Sequence, residues 1–204
     1  MLRLKTSILI LLFFCFYKNS FSQNFKSQVH GGINFSQVDG DKYAGYNQLG
    51  IYAGFSFFRV LKSNKNIGFE INYSSKGSRK KTSENDPSIF KLRINYVGIP
   101  VYAEFKKVIK GYDKLYIKAG LSGNILINSK TDFGFGWQKL PLNSFELSGI
   151  AGLRYLIDDK LSICVVHENS VLPIRKTNLS SQYYYANRRG LFNRLITISV
   201  CYKL

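Results

Sequence analysis

The side chains that could perform enzyme chemistry in this 204-residue chain are few, and only two of them are histidines, His30 and His167. A serine hydrolase needs a histidine beside a nucleophilic serine and an orienting acid. His167 is followed by Glu168 and, three positions on, by Ser170, which makes this segment a candidate for a hydrolytic site. Whether these side chains can meet depends on which face of the fold each one occupies.

Metal, redox and cofactor chemistry have weaker candidates. The three cysteines are Cys15, Cys164 and Cys201, of which only the last two lie beyond residue 22, and the chain has no CxxC pair, no His/Cys cluster and no phosphate-binding glycine loop. The sequence therefore predicts no metal site and no cofactor. Two cysteines in an exported chain leave open either a disulfide or two separately buried thiols, and we favour the thiols.

The first 22 residues have the pattern of a secretory signal peptide. A basic start, an unbroken apolar run and a small-x-small cleavage site follow one another: Arg3 and Lys5, Ile8–Tyr17, and Ser20-Phe21-Ser22. The apolar run is shorter than the roughly 20 residues that a membrane-spanning helix needs. We predict a signal peptide over residues 1–22 and one domain over residues 23–204.

Alternation of apolar and polar residues with period two predicts an all-β domain of eight strands. The fifth strand is the clearest, because Leu115, Ile117, Ala119 and Leu121 alternate with polar or small residues. The predicted strands cover about 29–38, 46–61, 67–77, 90–107, 115–128, 144–157, 161–169 and 191–204.

The fourth predicted strand changes parity along its length. Leu92, Ile94 and Tyr96 share one parity, whereas Ile99 and the apolar residues after it have the other. A shift of one residue moves every later side chain to the opposite face. We therefore predict a β-bulge near Gly98 and Pro100 (98–100), where a proline is also tolerated.

The connections sort by length. Links after the second, fourth and sixth strands are tight, whereas those after the third, fifth and seventh cover about 78–89, 129–143 and 170–189. Long loops on one rim and tight turns on the other are typical of outer-membrane barrels, whose long loops are extracellular. We therefore predict an eight-stranded antiparallel up-and-down transmembrane β-barrel; an exported soluble or surface-attached β-barrel binding module is the alternative.

Charged residues of both signs share the face opposite the apolar side chains. In a transmembrane barrel this face lines the interior, which in eight strands is only wide enough for side chains to fill. We expect these charges to pair as a structural filling of the lumen, and a proton or ion path is the alternative. The predicted luminal charges are Glu70, Glu104, Glu146, Glu168, Lys118, Arg154 and Arg93, with Lys76 on the same face.

A strong positive charge predicts an anionic partner. The net charge of +17 falls by three, to +14, when the leader is removed. Nucleic acid is excluded as a partner by export, whereas phosphates of outer-membrane lipid or lipopolysaccharide suit cations at an outer rim. The candidate glycolipid contacts are Arg79, Lys80, Lys81, Arg188 and Arg189, although a plain solvated loop is the alternative.

Three segments resemble the PorT-type outer-membrane β-barrel family of Bacteroidetes-like bacteria. They are GGINFSQVDGDKYAGYNQLGIYAGF from Gly31, IGFEINYSSKGSRKK from Ile67, and LRINYVGIPVYAEFK from Leu92. The resemblance implies an eight-stranded barrel, and its founding type is associated with a protein-secretion apparatus. It defines no catalytic or ligand residues, so none is carried over, and fold alone does not settle function.

The predicted strands also decide the hydrolase question. His30 faces inward at the start of the first strand, whereas His167 has the apolar parity and Glu168 points to the other face. We therefore predict a non-enzymatic outer-membrane protein, structural or accessory to a secretion or uptake apparatus, with an envelope protein complex as a candidate partner. An outer-leaflet lipid-modifying enzyme remains the remote alternative.

Overall fold

The computed structural model describes residues 25–41, 43–61, 65–84, 86–107, 114–175, 184–185 and 188–204. The predicted signal peptide (1–22), most of the tight turn predicted over 62–66 and the one predicted over 110–113 lie outside the described residues, so these predictions stay open. Lys65 and Asn66, at the end of the first predicted turn, are in a strand instead. Within the described part of the chain, no helix is long and apolar enough to cross a membrane.

Eleven strands occur in the described residues, of which eight are long and three (β6, β9 and β10) are short. Their bounds are β1 Phe25–Asp39, β2 Gln48–Leu61, β3 Lys65–Arg79, β4 Lys91–Lys107, β5 Leu115–Asp132, β6 Trp137–Lys139, β7 Phe145–Leu156, β8 Leu161–Ser170, β9 Tyr184–Tyr185, β10 Arg188–Arg189 and β11 Phe192–Lys203.

The eight long strands close into one antiparallel barrel. Each pairs with its neighbour along the chain, β11 pairs back onto β1, and β4 pairs with β5, so the wall runs without a break. Ile33 on β1, for example, lies opposite Ile51 on β2 and Ile198 on β11. Closure leaves the long strands without a free edge. The predicted eight-stranded up-and-down barrel is confirmed.

The two faces of the wall are reversed relative to a soluble protein. Leu121 is 57% exposed and Ile198 is 43% exposed on the outer surface, whereas the neighbouring Ser122 and Ser199 are buried inside. An apolar exterior around a polar interior is the arrangement that lipid requires. The alternation read from the sequence therefore gives the correct faces over most of the wall.

The prediction for the fourth strand is wrong in two respects. Leu92, Ile94 and Tyr96 point inward and are almost fully buried, and β4 alternates without changing face. The bulge lies in β5 instead, because Asn95 pairs with Asn128 while Tyr96 pairs with Leu126 (one residue of β5, position 127, is extra).

An apolar cluster explains why Leu92, Ile94 and Tyr96 point into the barrel rather than toward lipid. The inward residues of β4 pack with side chains from other strands and loops to close the barrel interior at one end, where the lumen is apolar rather than charged. The cluster contains Val38, Phe90, Leu92, Ile94, Tyr96, Ile174 and Leu191. Beside Pro100 the β3–β4 register passes from Phe69↔Val101 directly to Asn72↔Gly98, so the proline interrupts the ladder without reversing the faces.

The two rims differ as the connections predict. The rim formed by the 39–48, 79–91, 132–145 and 170–192 connections is called the long-loop rim below, and the opposite one, near both barrel termini, the turn rim. Part of the predicted 129–143 loop is strand, because β6 folds back onto the end of β5. On the turn rim Asp158 Oδ1 accepts hydrogen bonds from the N–H groups of Leu161 and Lys160, which hold the pKa of this carboxyl below its usual value.

Candidate functional site in the lumen and at the long-loop rim

The layer of luminal charges nearest the long-loop rim is built on one lysine. Lys76 on β3 is fully buried, and its Nζ donates to Glu168 Oε1 at 2.7 Å and to Glu146 Oε1 at 3.1 Å. The same Nζ lies 4.9 Å from the ring centroid of Tyr96. Two carboxylates from β7 and β8 therefore share one ammonium group inside the barrel.

Neutral donors complete this layer. Ser148 Oγ donates to Glu146 Oε1 at 2.7 Å, and Asn193 Nδ2 donates to Glu146 Oε2 at 2.7 Å. Asn124 Nδ2 donates to Glu168 Oε1 at 2.8 Å. Buried carboxylates are tolerated when their oxygens accept several hydrogen bonds, so these residues offset the shortage of cations in the layer.

The middle layer centres on Glu70. Lys118 Nζ donates to Glu70 Oε2 at 3.3 Å, Asn72 Nδ2 donates to Oε1 at 2.9 Å, and the Tyr52 hydroxyl also donates to Oε1. Lys118 Nζ lies 3.8 Å from the ring centroid of Tyr102, which adds a cation–π contact. This pair is therefore enclosed by partners on several strands.

The layer nearest the turn rim is an arginine–glutamate pair. Arg154 Nε donates to Glu104 Oε1 at 3.0 Å, and Nη2 donates to Oε2, so the contact is bidentate. Asn66 Nδ2 also donates to Glu104 Oε2, at 3.1 Å. The guanidinium lies 4.4 Å from the ring centroid of Tyr116. A planar fork on a carboxylate fixes both side chains more firmly than a lysine would.

The structure places six of the seven predicted luminal charges inside the barrel and one outside. Arg93 is exposed on the outer surface, with its guanidinium 5.3 Å from the ring centroid of Trp137. The correction follows from β4, because the residues on either side of Arg93 point inward. Period-two alternation predicts that Leu92 and Ile94, as apolar residues, face lipid, and it therefore predicts the wrong face for Arg93.

The sequence pattern does not identify several hydrogen-bond partners of the luminal charges. Tyr52, Asn124 and Asn193 lie on the inward parity, but they are polar residues of common types with no distinctive spacing. Their function depends on neighbours across the lumen rather than along the strand. Period-two parity would have identified them as inward residues, but not as partners of a particular carboxylate.

The candidate hydrolytic residues do not come together. His167 is exposed on the outer face, whereas Ser170 is buried inside, where its Oγ accepts a hydrogen bond from Asn193 N at 2.8 Å. Glu168 also points inward, onto Lys76. In the described part of the chain, no group of three or more His, Cys, Asp or Glu side chains has a geometry that would hold a metal ion.

The two cysteines lie together in the lumen beside the other histidine. Cys164 pairs with Ser199 and Cys201 with Ser162, so the cysteines are offset by two residues, yet their sulfur atoms are 2.9 Å apart. His30 Nδ1 lies 3.1 Å from Cys201 Sγ. Both are free thiols in this structure.

We predict that the folded protein contains two free thiols, because the offset of two residues in the β8–β11 register separates the backbones of Cys164 and Cys201 and disfavours a disulfide. Alkylation of the folded protein without reductant should add no label, and alkylation after denaturation should add two. A chain that accepts two labels only after reduction would instead establish a disulfide. Mass measurement separates these outcomes.

The predicted basic residues at the long-loop rim form part of a groove. Arg79, Lys80 and Lys81 line it together with Lys91, and its volume is about 410 Å³. Lys80 Nζ pairs with Asp86 and Ser88, and the hydrogen bond from Lys80 lowers the pKa of the Asp86 carboxyl to about 2. The side chains of the other two predicted contacts, Arg188 and Arg189, lie outside the described residues, although their backbones pair with Tyr185 and Tyr184.

Asp41, at the same rim, has a partly buried carboxyl group whose charged form is disfavoured by desolvation. Burial raises the pKa of Asp41 from 3.8 to about 6, although its Oδ1 accepts a hydrogen bond from Tyr43 N at 2.8 Å. The folded state therefore binds this proton more tightly than the unfolded state does. Stability associated with Asp41 is highest below pH 4 and falls as the pH rises through about 6.

Replacing Asp41 with asparagine should remove this penalty. We expect Asp41→Asn to stabilise the protein at pH 8 by about 1 kcal/mol, a value reduced to allow for partial solvent screening of the carboxyl. At pH 4 the variant and the wild type should unfold at the same urea concentration. A stability difference that does not change between these pH values would contradict the assignment.

Comparison of the sequence with known protein families identifies the family of this barrel. The family described as outer membrane protein beta-barrel domain matches residues 21–166, well over half of the chain. The chain belongs to this family. As an outer-membrane β-barrel protein it is located in the outer membrane, as predicted, and the soluble alternative is excluded.

Solved structures of several outer-membrane proteins are similar to this chain at low sequence identity. Neisserial surface protein A is 15% identical with a TM-score of 0.47, over 88% of this chain and 97% of that one. Ail, the attachment invasion locus protein of Yersinia pestis, is 14% identical with a TM-score of 0.49, over 88% and 99%. OprG from Pseudomonas aeruginosa is 13% identical with a TM-score of 0.37, over 88% and 95%. The comparison with curated proteins finds no match.

Proposed function

We propose that this outer-membrane protein is a non-enzymatic, non-conducting barrel that is structural or accessory to a secretion or uptake apparatus. The observation that carries the proposal is the filled lumen. Lys76, Glu70 and Glu146 are each no more than 1% exposed although they are charged and lie in the barrel interior. Water in a continuous channel would expose such side chains.

The three charged layers support a sealed interior. They stack along the axis as Lys76 with Glu146 and Glu168, Lys118 with Glu70, and Arg154 with Glu104. A permeating ion would have to separate these ion pairs. Each separated charge would then lack a partner in a low-dielectric interior, which is energetically costly. A side-chain-filled lumen is also what eight strands provide in general.

Close packing at one glycine gives further support. A Cβ atom added at Gly98 would lie 2.6 Å from Asn124 Oδ1 and 2.7 Å from Asn72 Oδ1, where atoms cannot sit without displacement. The two asparagines serve the carboxylates of different layers. The space between those layers is therefore occupied by the network itself.

The basic groove at the long-loop rim supports contact with phosphates of outer-membrane glycolipid. Longer loops are extracellular in barrels of this kind, which puts Arg79, Lys80, Lys81 and Lys91 at the outer leaflet. Cations bind phosphate oxygens through charge-assisted hydrogen bonds. Arg188 and Arg189 belong to the same proposal on the basis of the sequence alone.

The accessory part of the proposal rests on the resemblance to PorT-type barrels. A photoreactive residue placed at exposed positions of each rim, for example at Thr82 and at Asp159, would capture a neighbour in native membranes. Reproducible capture of one envelope protein supports the accessory role. Capture of lipid alone supports the purely structural role.

An uptake assay tests the sealed barrel in cells. We expect expression in a porin-deficient strain to leave the uptake of small hydrophilic solutes at the level of the empty vector, because the lumen offers no path. A large porin expressed at the same level serves as the positive control. Faster uptake through the wild-type protein would contradict the proposal.

A further inference from the structure

A row of three cations crosses the outer face of the wall near the long-loop rim. Arg93 on β4 lies opposite Lys130 on β5, and Lys130 lies opposite Lys139 on β6. All three side chains are exposed, and the described residues record no carboxylate paired with any of them. Like charges directly opposite one another on neighbouring strands are destabilising, so an anion bound across the row would stabilise the three cations, which have no ion-pair partner among the described residues.

The height of the row points to lipid headgroups. On β4 the outward residues are Val97 and Ile99 in the apolar band, then Asn95, then Arg93. Asn95 Nδ2 donates to Asn128 Oδ1 at 2.8 Å, and this polar pair marks the upper end of the band. Arg93 lies two residues beyond it, roughly 5 Å along the membrane normal for a tilted strand. Trp137, which contacts Arg93, is of the type found at membrane interfaces.

An apolar groove adjoins the row. It encloses about 570 Å³ and is lined by Lys130 and Lys139 and by apolar side chains that include Leu126, Ile127 and Trp137. It forms where β5 leaves β7 to pair with β6, next to the bulge at position 127. A volume of this size is typical of ligand sites. Cations beside an apolar groove are complementary to a lipid that has a phosphate on its headgroup and acyl chains attached to it.

We propose that Arg93, Lys130, Lys139 and this groove form a binding site for a phosphorylated glycolipid of the outer leaflet. The phosphate lies over the cation row, and an acyl chain occupies the groove along Ile127 and Trp137. The site is separate from the Arg79–Lys81 groove on the loops. It depends on the outward orientation of the long-loop rim, which is part of the proposed function, but not on whether the lumen conducts.

The single tryptophan of the chain, Trp137, makes a direct reporter because it lines the groove. Detergent-solubilised full-length protein would be titrated with bis-phosphorylated lipid A whose acyl chains carry bromine, a contact quencher of indole emission. We expect saturable quenching. The same lipid without phosphates, and brominated phosphatidylglycerol, should each require about tenfold more lipid or beyond for half-saturation.

Two matched pairs of substitutions decide which cations act. Lys130→Gln with Lys139→Gln should raise the half-saturating lipid A concentration about tenfold or more. Lys26→Gln with Lys160→Gln, the same charge change near the turn rim, should leave it unchanged. Heat-modifiable mobility on a gel verifies that each variant is folded.

Three results would overturn the site. The first is the same half-saturating lipid A concentration in the Lys130→Gln/Lys139→Gln and Lys26→Gln/Lys160→Gln variants. The second is equal binding of phosphatidylglycerol and lipid A. The third is a rise in the half-saturating lipid A concentration that occurs only in an Arg79→Gln/Lys81→Gln variant. The last result would assign the phosphate to the loop groove instead. None of them bears on the uptake assay, so failure of this site and failure of the sealed barrel are distinguishable.

Discussion

Replacing Lys76 with methionine should destabilise the barrel by about 3–5 kcal/mol, the cost of leaving a buried charge without its partner. Lys76 is the cation that Glu146 and Glu168 share in this layer of the lumen, and its ammonium group is fully buried. Methionine fills a similar volume but donates nothing. The measurement is the urea midpoint of refolded protein in lipid vesicles.

A compensating variant separates loss of charge from loss of packing. Lys76→Met combined with Glu146→Gln and Glu168→Gln should recover most of the lost stability, because neutral amides need no counter-ion and can still accept from Ser148 and Asn193. Lys80→Met is the matched control, since its partner Asp86 is exposed, and it should leave the midpoint nearly unchanged. Equal effects of Lys76→Met and Lys80→Met would refute the role given to Lys76.

The second large effect concerns the lipid face. Leu121→Arg should destabilise the protein by about 2–4 kcal/mol, because this outward side chain lies near the middle of the apolar band on β5 and an arginine there meets hydrocarbon. The exposed fractions show that Leu121 points outward, since Leu121 is 57% exposed and the neighbouring Ser122 is 1% exposed. Urea midpoints in vesicles measure the change.

Depth along the wall provides the control. Phe25→Arg makes a comparable substitution at an outward apolar residue, but at the first position of β1 near the turn rim, where arginine costs about 0–1 kcal/mol. We expect the two variants to differ by at least a factor of two in destabilisation. Similar midpoints for Leu121→Arg and Phe25→Arg would mean that the band does not face lipid.

Most of the wall could be predicted from the sequence, because every strand of a transmembrane barrel must obey the same period. Along β5 the alternation of Ile117, Ala119 and Leu121 with Lys118 and Gly120 admits one assignment of faces once lipid is outside. The observed bounds of the long strands differ from the predicted ones by up to four residues, and the largest differences are the earlier start of β1 at Phe25 and the later end of β5 at Asp132.

The faces near the long-loop rim could not be predicted in the same way. Period two separates two sets of side chains but does not say which set is inside. The apolar Leu92 and Ile94 look lipid-facing in sequence, although they close the lumen with Ile174 from a distant loop. The sequence therefore predicts a bulge beside Pro100, whereas the extra residue in the structure is Ile127 of the neighbouring strand.

The sequence also could not predict which luminal charges pair with one another. Parity placed Glu146 and Glu168 inside, but their shared contact with Lys76 depends on β3, β7 and β8 facing one another across the lumen. Alternation within one strand carries no information on the opposite wall. The count of charges predicted a network, and only the closed barrel shows which members are partners.

The conductance of the purified wild-type protein in a planar lipid bilayer tests the sealed lumen most directly. Insertion would be verified by flotation with vesicles and by heat-modifiable mobility, and a large porin would serve as the conducting reference. We predict no discrete current steps from the wild-type protein, because the Lys76, Lys118 and Arg154 layers occupy the lumen. Reproducible single-channel steps from folded wild-type protein would contradict the account.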